Sequence, residues 1–125
     1  PHMFTRTDVA MLARLAAGAV EGDGSGHTVY AQQSTPKRYI VGGYLPAQLY
    51  PIGEAKGHMR TRIWDAAHTP AARFAETLGY WEDRGTVYVD FGTTYHSLVS
   101  ALSVARTRGE LAIFDRKTGE CITVS

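Results

Sequence analysis

Between Tyr80 and Val124 two hairpin signals flank one amphipathic helix, and no other stretch restricts the fold so tightly. Tyr80–Glu82 and Thr86–Phe91 read as strands joined across Asp83-Arg84-Gly85, a three-residue loop with glycine where positive φ is needed. Val87, Val89 and Phe91 then share one face and Thr86, Tyr88 and Asp90 the other. Gly92 to Ser97 reads as a loop into a helix over Leu98–Arg108, capped near His96 or Ser97. Leu98, Ala101, Leu102 and Ala105 form its apolar stripe. Arg106 and Arg108 suit its C-terminal dipole, and Gly109 ends it. Leu111–Phe114 and Cys121–Val124 make the last hairpin, across a turn containing Gly119.

The upstream chain is read in the same way. Thr5 or Thr7 caps a first helix carrying Val9, Leu12, Ala13, Ala16, Ala19 and Val20, and Glu21–Gly26 stops it. His27–Ala31 and Arg38–Gly42 are β-type runs, read as an antiparallel pair. Tyr44–Gly57, with two prolines and two glycines, reads as irregular chain. His58–Trp64 alternates like a strand, with Met59, Thr61 and Ile63 on one face and His58, Arg60, Arg62 and Trp64 on the other. Thr69-Pro70 opens another helix, lined by Ala71, Phe74, Ala75 and Leu78 and capped by Gly79. The expected fold is α+β: one domain over residues 3–125, an antiparallel sheet with about three helices mainly on one face. Pro1 and His2 read as the remnant of a cleaved tag.

At 125 residues the chain can bury one core without staples. Its 13 Lys and Arg against 12 Asp and Glu lack the basic excess of a general polyelectrolyte binder. Cys121, the single cysteine, excludes an intrachain disulfide and reads as a small buried strand residue. No apolar run has the length of a membrane span and no signal peptide is evident, so a cytoplasmic protein without membrane contact is expected.

Tyr88-Val-Asp90 before the helix, Ala101-Leu-x-x-Ala-Arg-x-Arg-Gly-Glu-Leu-Ala-Ile-Phe-Asp115 across it, and Thr118-Gly-Glu-x-Ile122 after it resemble small accessory proteins of actinobacterial phages and prophages. Tyr39-Ile-Val-Gly-Gly43 with Leu45-Pro46 is similar to an upstream segment in some of them. The resemblance spans about the last 45 residues. It implies a phage-type protein acting inside a bacterial host, and brings no reaction or catalytic residue with it.

The residues themselves speak against common enzyme chemistry. His27, His58, His68 and His96 lack ligand spacing, so neither a metal nor another cofactor is expected. No Gly-x-Ser-x-Gly elbow or Cys/His constellation occurs. Asp90 among apolar residues, with His96 downstream, is the one enzyme-like pair, and the blander reading has Asp90 ending its strand and bonding the Gly-Thr-Thr turn. Tyr30, Arg38, Tyr39, Arg60, Arg62 and Trp64 make a candidate binding surface on exposed strand faces. Such residues stack on rings, pair with phosphates and dominate protein interfaces; they also pack on each other within one chain. The expected function is a non-enzymatic accessory protein binding a host protein, with a nucleic-acid or nucleotide binder and an Asp90/His96 enzyme as alternatives. Homodimerisation through a strand edge is a further expectation.

Overall fold

A computed structural model of the chain describes residues 3–125, which leaves Pro1 and His2, and the reading of them as a tag remnant, outside the described residues. Helix α1 (Arg6–Ala17) begins where the Thr5 hydroxyl accepts from the Asp8 N–H, and buries Val9, Leu12, Ala13 and Ala16; Val20 lies beyond it and is exposed. Strands β1 (Gly26–Tyr30), β2 (Tyr39–Val41) and β3 (Gln48–Pro51) follow, then α2 (Lys56–Ala67) and a single 3-10 turn at Pro70–Phe74. Strands β4 (Thr77–Asp83) and β5 (Thr86–Tyr95), helix α3 (Leu98–Arg108) and strands β6 (Ala112–Asp115) and β7 (Glu120–Thr123) complete the chain. The fold is α+β, a curled, wholly antiparallel sheet in the order β1-β4-β5-β2-β6-β7, with β3 also on β5.

Strand β5 organises the sheet. One edge pairs with β4 from Thr86 to Gly92; the other pairs first with β3 and then, from Thr93 to Tyr95, with β2. Two cores meet along it. Helices α1 and α2 cover the first, around Leu12, Met59, Ile63, Leu78, Val87, Val89 and Phe91; α3 covers the second, around Tyr39, Val41, Ala101, Ala105 and Ile113. Arg108 ties the two, bonding the Val41 and Gly42 carbonyls and the Thr93 hydroxyl while its guanidinium lies over Tyr44.

Several expectations are corrected. β1 and β2 do not pair with each other: β1 pairs β4, and β2 lies between β5 and β6. His58–Trp64 is helix, because Met59 and Ile63 stand one turn apart and both enter the first core. Thr69-Pro70 opens only one turn, leaving Ala71 and Phe74 exposed, while Leu78 and Gly79 belong to β4. The supposed irregular segment contains β3, and its end forms the start of α2. Gly92 to Tyr95 continues β5 rather than forming a loop. The β4–β5 connection has two residues, Arg84 and Gly85, both at positive φ as a type I′ turn requires. Cys121 is exposed, not buried. Of the two cap candidates, His96 and Ser97, it is Ser97 that caps α3, and Gly109, at φ 73°, ends it as read from the sequence.

Candidate functional site

The side of β5 carrying Tyr88 and Asp90 faces away from both cores. Pairing aligns Leu49 of β3, Tyr88 of β5 and Trp81 of β4 in one row across three strands, with Gly26 of β1 at its end. The Trp81 and Tyr88 rings stack with centroids 5.0 Å apart and planes at 21°. Trp81 is 51% and Leu49 56% exposed. Gly26 adds no side chain beside Trp81, and the next row is Thr28, Gly79 and Asp90, the last overlaid by Gly42 and Gly43. The charges bordering this row are Asp83 and Arg84 at the turn and Asp90 in the next row.

The turn end of this surface is braced by a carboxylate. Glu82, almost fully buried, accepts from the Gly22, Gly24 and Gly85 N–H groups. Those amides hold its carboxyl below the usual range. The Gly-rich Glu21–Gly26 loop is thereby fastened to the β4–β5 turn.

The surface expected from sequence is divided by the fold. Because α2 is a helix, Arg60, Arg62 and Trp64 do not share a strand face. Arg62 lies over Tyr50, and Trp64 is flanked by the Arg6 guanidinium and the His68 ring. Arg60 and Trp64 line a depression of about 270 Å³ between α1 and α2. Tyr30, Arg38 and Tyr39 lie elsewhere, near the β6–β7 turn. Arg38 lies over Tyr39, which is buried, and forks onto Asp115 through Nε and Nη2 at 2.9 and 2.8 Å. That bidentate pair depresses the Asp115 carboxyl. Tyr30 is overlaid by Arg116. Most of the expected cation–ring groups are thus engaged within the chain.

Asp90 and His96 do not converge. Roughly 20 Å of strand separates them, and His96 opens instead onto a groove lined by Pro36, Lys37, Arg38, Arg116 and Lys117. Asp90 is not at the end of its strand: its Oδ2 accepts from Gly43 N–H at 2.8 Å, and its buried Oδ1 has no hydrogen-bond partner. Desolvation pushes its carboxyl up to about 6, against the Gly43 bond and with help from Glu110, itself raised by burial. Both carboxyls abut Gly42, where a Cβ would meet Asp90 Oδ2 and Glu110 Oε1. The pair carries a shared burial cost, and His96 lies away from it.

No family model, curated protein or solved structure matches the chain. Sequence reasoning missed Leu49, Trp81, Lys37, Arg116 and Lys117 as surface groups. The alternation Thr86-Val-Tyr-Val-Asp90 did put Tyr88 on the face opposite Val87 and Val89, and that was the available signal.

Proposed function

We propose that this chain is a non-enzymatic accessory protein that binds another protein on its helix-free sheet face. The observation that carries this reading is the in-register row of Leu49, Tyr88 and Trp81 on a face no helix covers. Rigid aromatic side chains dominate protein interfaces because they bury much area at low entropic cost. The edge of the row carries no excess of base, since Arg84 is matched by Asp83, so nothing there draws a phosphate backbone. The resemblance of the C-terminal stretch to phage and prophage proteins supports a partner from a bacterial host and action inside that host's cytoplasm.

The test compares tagged wild type with a Leu49→Asp/Trp81→Ala variant in host lysate. A partner retained by wild type and by Arg60→Ala, and lost from the double variant, is the expected result. Equal retention by all three would contradict the assignment of this face.

A further inference from the structure

We infer that the groove between the Gln32–Lys37 connector and the β6–β7 turn is a second binding site, for the phosphate backbone of a nucleic acid. Its lining is Pro36, Lys37, Arg38, His96, Arg116 and Lys117, around a volume of about 330 Å³. Three acids stand nearby: Asp115 is buried and occupied, accepting both Arg38 contacts and the Lys117 N–H; Glu76 is bonded to Thr94; Glu120 lies exposed opposite Asp115. Among the described residues, Lys37, Arg116 and Lys117 form no ion pair. Arg116 is held instead by neutral acceptors, the Pro36 and Lys37 carbonyls and the Tyr30 hydroxyl. Its guanidinium is therefore fixed in place while its charge stays uncompensated.

The net charge of +1 is compatible with this site, because acids outnumber bases at one end of β5 and bases outnumber acids at the other. At the Thr86 end lie Asp83, Glu21 and Asp23 around the fastened glycine loop, with the occupied Glu82 beneath them and one base, Arg84, at the turn. At the Tyr95 end lies the basic groove, roughly 30 Å away along a ten-residue strand. Such a dipole lets a near-neutral chain bind a polyanion at one end and orient as it approaches.

The rings decide how that polyanion is recognised. Tyr30 is overlaid by Arg116 and Tyr39 is buried, so neither offers an open face within the groove for base stacking. His96 is then the one ring of the lining open to a base, and recognition rests mainly on phosphates, with little dependence on sequence. The groove is shallow and open, so a phosphodiester backbone can lie along it, and an anionic vesicle surface is the competing ligand that the test must separate.

The test is fluorescence anisotropy with labelled random-sequence DNA, single- and double-stranded, across a salt series. Binding to both is expected, with log K against log salt falling at a slope of about −2 to −4 for three to four phosphates. Lys37→Glu/Lys117→Glu, at one half-buried and one exposed position, is expected to weaken binding at least tenfold while circular dichroism stays unchanged. Arg60→Ala and Trp81→Ala should leave affinity as it is. A flat salt dependence, unchanged affinity in the charge-reversed variant, or binding to phosphatidylserine vesicles but not to DNA would overturn the inference.

Discussion

Trp81 and Tyr88 stand opposite one another on β4 and β5 and stack with centroids 5.0 Å apart, on a sheet face turned away from both cores. A stacked pair contributes about 0.5–1.5 kcal/mol beyond the area it buries. Trp81→Ala should therefore lower stability only modestly, measured by urea unfolding, while removing partner binding. A loss as large as that of a core truncation, about 3–5 kcal/mol, would make Trp81 a fold residue instead.

Asp90 yields a pH-dependent prediction. Its carboxyl is raised from 3.8 to about 6, so between those values the folded state binds more protons than the unfolded chain. Its contribution to stability therefore falls as pH rises through that window and stays low above it. Glu110 is shifted in the same direction, and Arg108 opposes the Asp90 shift. Asp90→Asn keeps an acceptor for the Gly43 N–H and removes the buried charge. It should stabilise the protein by about 1–3 kcal/mol at pH 7, and by little near pH 4. Thermal melts across pH check this; a variant less stable than wild type at pH 7 would contradict it.

Glu82 has the opposite sign. Its carboxyl is depressed by three backbone N–H bonds, so its contribution is present at neutral pH and is lost as pH falls below the ordinary glutamate range. Glu82→Gln weakens those bonds. Hydrogen exchange at the Gly22, Gly24 and Gly85 amides should speed up while amides of α3 keep their protection.

Gly92 sits where β5 passes from its pairing with β3 to its pairing with β2. A Cβ there would lie 2.5 Å from Thr77 Oγ1 and 2.8 Å from the Val41 carbonyl oxygen. Gly92→Ala should cost about 1–3 kcal/mol through overpacking, read from the denaturation midpoint. An unchanged midpoint would show that β4 and β2 yield without cost.

Elements closed by their own side chains were legible in the sequence. Thr5 starts α1, Ser97 starts α3 and Gly109 ends it, each by local bonding. Helix α2 has no such signal, since Ala55 precedes it without a side-chain cap and Met59-x-x-x-Ile63 fits both a strand's alternation and a helix turn. Strand β3 hides between prolines because Pro51 lies at the end of a strand paired only to β5. The aromatic row was not legible either: Leu49, Trp81 and Tyr88 meet only through pairings that bring β3 beside β5, which no local pattern states. Arg38 was read as free for a ligand, but Asp115, distant in sequence, claims it.

Photo-crosslinking from position 88 examines the sheet face where the account is most exposed. With benzoylphenylalanine in place of Tyr88, irradiation in host cells should give a discrete adduct with a second polypeptide, resistant to nuclease and absent when the probe replaces Val99. No adduct from position 88, or one that nuclease removes, would contradict the proposal that this face receives a protein.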